Sequence, residues 1–185
     1  MRIRTFIALE LPPALKLRLQ EIITCYGSSS PTGVNWVAAD NLHLTLIFIG
    51  DVQQEQVTEL DELLTKNLQG FPPLVFAAEG LELFPAIDPR ILWLKLKSEN
   101  DDILKLHRRL MHDIIRLGIS PDRKPLRLHI TLARMKSRMS PELEKELIQQ
   151  EFDKHSMAYS RICLFRSVLQ PQGPSYSILE DYNLK

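Results

Sequence analysis

Leu42-His43-Leu44-Thr45-Leu46-Ile47 returns 86 residues later as Leu128-His129-Ile130-Thr131-Leu132-Ala133, identical at four of six positions and conservative at a fifth. A repeated unit repeats its elements in order, so this pair decides how the rest of the chain is assigned. The same offset carries the apolar run Thr5 to Leu9 onto Ile91 to Lys95, and both runs have the short, turn-bounded look of strands. A helix is predicted after each. In the first half Pro12 and Pro13 suit a first helical turn, ahead of a stripe of Leu15, Leu19, Ile22 and Ile23 that stops at Gly27. In the second, Asp101 and Asp102 precede Ile103, Leu106, Leu110, Ile114 and Leu117, with Gly118 as the stop. Next in each half come the histidine strand, a second helix (Gln53 to Leu68; Pro141 to Phe152) and a closing strand (Leu74 to Leu83; Tyr159 to Ser167). Gly70 to Pro73 and Pro121 to Pro125 read as loops, and a turn at Pro171 to Pro174 leads to a last short strand, Tyr176 to Leu179.

Strand, helix, histidine strand, helix, strand, given twice, mixes α and β. With seven glycines and no glycine-rich phosphate loop after the first strand, a doubly wound parallel sheet is disfavoured. The expected class is α+β: a bilobal, pseudo-twofold duplicated unit, each lobe a small, largely antiparallel sheet with helices packed on its outer side, and a central cleft between the lobes. No linker composition divides the chain, so 1–185 is expected to be a single domain with repeat halves of about 1–84 and 87–179.

Composition bounds the function. At 185 residues, 44% hydrophobic and 25% charged, the chain suits one globular core and excludes disordered, collagen-like and coiled-coil classes. Its 23 basic and 23 acidic residues cancel, so no global positive field exists to hold a long nucleic acid, and any such role rests on a local patch. One patch exists: between Pro121 and Met139 the basic residues Arg123, Lys124, Arg127, Arg134, Lys136 and Arg138 face the single acid Asp122. Cys25 and Cys163 have no metal-ligand spacing and read as free, buried thiols of a reducing compartment. The N-terminal apolar run is cut by Glu10 and Pro12, and no segment reaches 18 apolar residues, so a cytoplasmic protein with no membrane contact is expected; zero net charge and the lack of a coiled-coil pattern make a monomer with no obligate protein partner the expectation.

In a strand, residues two apart share a face, so His43 with Thr45, and His129 with Thr131, make one polar side of an otherwise apolar strand. If the apolar sides fill the lobe cores, two imidazoles and two hydroxyls converge on the cleft. A neutral imidazole can take a proton from water while a charged one delivers a proton to a leaving oxygen. Threonine hydroxyls can steady the non-bridging oxygens of a phosphate as phosphorus becomes five-coordinate. A strained cyclic phosphodiester suits such a set, with no metal and no cofactor. His107, His112 and His155 lack HExxH or HxH company and are expected to carry no chemistry. Arg127 shares the His129 face by parity and is a candidate phosphate neighbour. Phe48 and Arg134 each follow their motif histidine by five residues and could sandwich a nucleobase, but strict alternation turns both away from the histidines unless a bulge intervenes, and favours Phe48 as core. Trp36 and Trp93 are expected to be core aromatics.

The chain resembles the 2H phosphoesterases, specifically the RNA 2′,3′-cyclic phosphodiesterases also called 2′-5′ RNA ligases, over nearly its whole length. The resemblance rests on Arg4-Thr5-Phe6-Ile7-Ala8-Leu9-Glu10-Leu11-Pro12, Trp36-Val37, Asn41-Leu42-His43-Leu44-Thr45-Leu46, Phe48-Ile49-Gly50, Arg90-Ile91-Leu92-Trp93-Leu94, His129-Ile130-Thr131-Leu132-Ala133-Arg134 and Gly173-Pro174-Ser175-Tyr176. It implies a bilobal fold whose cleft holds both motifs, and metal-free hydrolysis of RNA 2′,3′-cyclic phosphate ends, or cyclic nucleotides, to 2′-phosphomonoesters. In the family's roles His43 is the proton donor, His129 the proton acceptor, Thr45 and Thr131 the phosphate-binding hydroxyls and Arg134 a substrate contact. The family commonly reads Arg-Pro-Phe-x-Pro-His before the second motif; here Lys124-Pro125-Leu126-Arg127-Leu128-His129 lacks the aromatic and the second proline. Competing readings are a reversible 2′-5′ ligase acting on tRNA halves and a non-catalytic RNA-end binding module.

Overall fold

The computed structural model describes residues 2–28, 33–170 and 173–185. The elements run β1 (Arg2–Leu9), α1 (Pro13–Gly27), β2 (Val34–Trp36), a 3-10 turn (Ala39–Asn41), β3 (Leu44–Gln53), α2 (Gln54–Leu68), β4 (Leu74–Phe84), β5 (Ile91–Ser98), α3 (Asp102–Arg116), β6 (His129–Met135), α4 (Pro141–Ile148), β7 (Met157–Tyr159), β8 (Arg161–Gln170) and β9 (Gly173–Asn183). Local chemistry explains the helix starts. Pro13 opens α1, where its missing N–H costs nothing. Gln53 and Gln56 form a reciprocal capping box at α2, and Ser140 accepts the Leu143 N–H at the start of α4. Several boundaries differ from expectation: α4 stops at Ile148 rather than Phe152, β8 runs Arg161–Gln170 rather than Tyr159 to Ser167, and the last strand is long, running beside β8 from Gly173 to Asn183. Residues 171–172 of the predicted turn lie outside the described residues.

The class is α+β and the strand pairings are antiparallel. The strands follow the order β7-β4-β5-β6-β3-β1-β8-β9, with β2 added to β6. The two expected small sheets, β3-β1-β8-β9 and β4-β5-β6 with β7, meet along their inner edges through the pair Leu44 and Ile130, so they form one continuous curled sheet. The closing strands do not complete their own halves. β4 pairs with β5 of the second half, and β8 with β1 of the first, so each lobe is built from both copies of the repeat. Register also corrects the offset of the opening strands. Ala8 lies opposite Thr45 and Trp93 opposite Thr131, so β1 and β5 correspond at 85 residues, not 86. One residue matters in a strand, because it exchanges the two faces.

One face of the sheet is covered by the helices. Ile7 and Leu9 of β1, Leu44 of β3, Leu92 and Leu94 of β5 and Ile130 of β6 join the helix stripes in a single buried cluster that spans both lobes. At roughly 25 cal/mol per Å² of apolar surface, this continuous burial is the main stabilising term for the fold. The other face carries a small separate cluster, Phe6, Ala8, Cys163 and Phe165. Cys163 is buried there, whereas Cys25 is exposed, contrary to expectation; both thiols are free. No helix among the described residues is long and apolar enough to cross a membrane.

Candidate active site

His43 directly precedes β3 and His129 opens β6, so both sit on the uncovered face at the seam between the lobes. Antiparallel pairing of Leu44 with Ile130, continued by one residue each way, sets Thr131 beside His43 and Thr45 beside His129. Each histidine thus neighbours the threonine of the other copy. The imidazoles are held alike. His43 Nδ1 donates to the Asn41 carbonyl at 2.7 Å, and His129 Nδ1 to the Arg127 carbonyl at 2.8 Å. A carbonyl only accepts, so both Nδ1 atoms carry the proton and both Nε2 atoms are left for a ligand. Among the described residues neither threonine hydroxyl has a hydrogen-bond partner in the protein, and all four side chains line one cavity of about 670 Å³.

Electrostatics separate the two rings. Burial pushes His43 down from 6.5 to about 4; the Asn41 carbonyl opposes the shift, and the positive charges of His129 and Arg134 add to it. Burial also lowers His129, opposed by the Arg127 carbonyl and reinforced by Arg134 and Arg127. The first ring is the more enclosed. Phe6 lies 4.9 Å from it and Tyr176 meets it edge-on at 5.3 Å, while Phe165 stacks on Phe6 at 5.0 Å. His129 instead leans on Trp93 at 4.5 Å, itself stacked on Phe84 at 4.4 Å.

Two matched bulges aim the remaining candidates. On β3 the register against β1 skips Leu46, and on β6 the register against β5 skips Leu132. Consecutive residues Leu46 and Ile47, and likewise Leu132 and Ala133, are therefore all buried, and alternation resumes in the opposite phase. The result turns Phe48 and Arg134 toward the histidines, where both line the cavity. Phe48 is 50% exposed, which corrects its expected place in the core. The doubled apolar pair after each His-x-Thr is the sequence signal for this bulge. Arg127 lines the cavity near His129 with its guanidinium 4.8 Å from the centre of the Phe84 ring.

Sequence reasoning missed several walls of the site. Trp93 is buried as expected, but it also lines the cavity beneath His129, and Trp36 lines it too. Tyr176, Phe6 and Phe165 close around His43 from strands distant in sequence. His107, on α3, reaches the cavity edge half-buried, while His112 and His155 lie exposed beside Asp113 and Asp153. Of the basic stretch, Lys124 lines the cavity but is paired with Asp122 at 3.0 Å. No group of three His, Cys, Asp or Glu among the described residues could hold a metal ion.

The profile of the LigT-like phosphoesterases matches residues 9–93 and again 94–176. An RNA 2′,3′-cyclic phosphodiesterase of Thermotoga maritima is 33% identical over 178 residues, covering 95% of this chain and 92% of its own. The protein of the same description from Methanothermobacter thermautotrophicus is 30% identical over 192 aligned positions, covering 100% of both chains. The solved structure of TT0787 from Thermus thermophilus superposes with a TM-score of 0.83 at 28% identity over 98% of each chain. Escherichia coli LigT in its apo form shares the fold, with a TM-score of 0.74 at 23% identity over 99% of this chain and 98% of its own.

Proposed function

This chain belongs to the LigT-like phosphoesterase family, and from that membership we propose that it opens RNA 2′,3′-cyclic phosphate ends to 2′-phosphomonoesters with its two histidines as acid and base. The observation that carries the reading is the matched pair of imidazoles, each tied through Nδ1 to the carbonyl two residues back and each presenting Nε2 to one cavity. Nε2 of neutral His129 takes a proton from water as the water oxygen bonds to phosphorus. The P–O3′ bond breaks, and the His43 imidazolium gives its Nε2 proton to O3′, leaving a free 3′-hydroxyl and a 2′-phosphate. Thr45 and Thr131 donate to the non-bridging oxygens. The test is incubation with a nucleoside 2′,3′-cyclic phosphate in buffer containing EDTA, with products resolved by ³¹P NMR. A 2′-monophosphate, formed at the same rate with and without chelator, is expected; a 3′-monophosphate or no product would refute the proposal.

Depressed pKa values give the pH dependence a sign. The reactive form carries one proton on the pair. In the free protein, with His43 near 4 and His129 also below 6.5, that form peaks on the acidic side, so kcat/KM is expected to be maximal between about 4 and 6.5. A bound anion favours the imidazolium, so the kcat profile is expected to move to higher pH. A kcat/KM maximum above about pH 7 would contradict this assignment.

Phe48, brought to the cavity by its bulge as Arg134 is by the matching one, supplies a flat apolar face for the terminal base. Stacking on an aromatic ring is worth about 1–3 kcal/mol per base, so Phe48→Ala is expected to raise KM about tenfold with little change in kcat. Ribose 2′,3′-cyclic phosphate, lacking the base, should respond to neither ring nor truncation; an equal KM change on that substrate would refute stacking.

A further inference from the structure

Beyond the ring-opening groups, a row of polar side chains crosses three strands and ends at Tyr176, whose ring meets His43 edge-on at 5.3 Å. Arg4 on β1 lies opposite Ser167 on β8, and Ser167 opposite Tyr176 on β9. Alternation along β1 puts Arg4 on the face of Phe6 and Ala8, which is the face that holds His43. Arg4 is exposed and forms no ion pair among the described residues; its cross-strand neighbour on β3, Asp51, is not within ion-pair distance of it. From the other copy of the repeat, Arg134 enters the same cavity as Tyr176. Burial pushes the Tyr176 phenol up, while the positive charges of Arg134 and Arg4 pull against that shift, so the hydroxyl is a protonated donor acted on by two guanidiniums.

Two other basic residues near the histidine strands are instead neutralised by acids. Just past β1, Arg161 is held by Glu10 at 2.7 Å and by Asp181 at 2.9 Å. On β5, opposite His129, Lys95 is held by Glu79 at 3.2 Å and Glu82 at 3.3 Å. Each of these sets keeps one excess negative charge, which disfavours a second phosphate there.

We propose that Arg4, Tyr176 and Arg134 form a second anion subsite that takes the phosphate on the 5′ oxygen of the terminal nucleotide. The proposal rests on the ring-opening reading and names its substrate class: an RNA end or a 5′-phosphorylated cyclic nucleotide, in preference to a bare nucleoside cyclic phosphate. In such an end the 5′ phosphate is the anion nearest the cyclic one, attached to the same ribose.

The experiment compares kcat/KM for a nucleoside 2′,3′-cyclic phosphate and its 5′-phosphorylated counterpart, in the wild type and in Arg4→Gln, Arg4→Glu and Asp51→Asn, at low and high salt. A charge-assisted contact predicts a gain of about tenfold from the 5′ phosphate in the wild type at low salt, smaller at high salt. Arg4→Gln is expected to remove most of that gain while leaving the bare substrate unchanged, Arg4→Glu to turn it into a penalty, and Asp51→Asn to enlarge it. A gain in Arg4→Gln equal to that of the wild type, or none in the wild type, would overturn the subsite. If the wild type opened neither substrate, the ring-opening reading itself would fall.

Discussion

Replacing either His43 or His129 by glutamine is expected to lower kcat for cyclic phosphate opening about 10³-fold, with KM little changed. Both proton transfers belong to the transition state, so their loss falls on kcat. Glutamine keeps a polar group of similar reach near the Asn41 or Arg127 carbonyl but cannot exchange a proton near neutral pH. The two changes are not expected to add, because an acid without its base, or the reverse, already leaves the concerted route. The double variant should therefore be hardly slower than the slower single one. Circular dichroism and the thermal midpoint provide the control for folding, since neither ring belongs to the large buried cluster beneath the helices. Turnover within tenfold of the wild type in either single variant would remove the acid/base assignment.

The repeat of His-x-Thr made the fold class and the candidate pair legible, because a strand with one polar face needs a second polar surface opposite it and the chain supplies a copy. What pairing does at a distance was not legible. That β4 and β8 cross into the other half's lobe follows from strand partners far apart in the chain, which periodicity does not encode. The offset of 85 for β1 and β5 reflects one more residue between opening strand and histidine strand in the second half, Trp93 to Thr131 against Ala8 to Thr45, and the matched bulges leave only two adjacent apolar residues after each motif, Leu46-Ile47 and Leu132-Ala133. Phe48 illustrates the cost: by strict alternation it is core, and the bulge makes it a wall of the cavity. Tyr176 and Phe165 reach His43 through β9 and β8, so their proximity required the sheet order, and the downward shift of His43 required their burial of it.

Thr45→Val and Thr131→Val are each expected to reduce kcat about 100-fold, the usual loss when one donor to a developing oxyanion is removed. Valine preserves the branched shape that suits a strand, so β3 and β6 should pair as before. The non-bridging oxygens are already charged in the bound substrate, so some of the interaction is present before the reaction begins. KM should therefore rise severalfold as well, unlike in the histidine variants, and serine at either position should restore most of the loss by returning the hydroxyl. The register makes the two sites comparable: Thr45 borders His129 and Thr131 borders His43, each copy of the repeat lending its hydroxyl to the other copy's imidazole. If the phosphate spans that pseudo-twofold axis, inorganic phosphate as a competitive inhibitor should weaken to a similar degree in both variants. Unchanged kcat and unchanged phosphate inhibition in either one would show that its hydroxyl faces the cavity without touching the substrate, and would leave the non-bridging oxygens to the other copy's threonine.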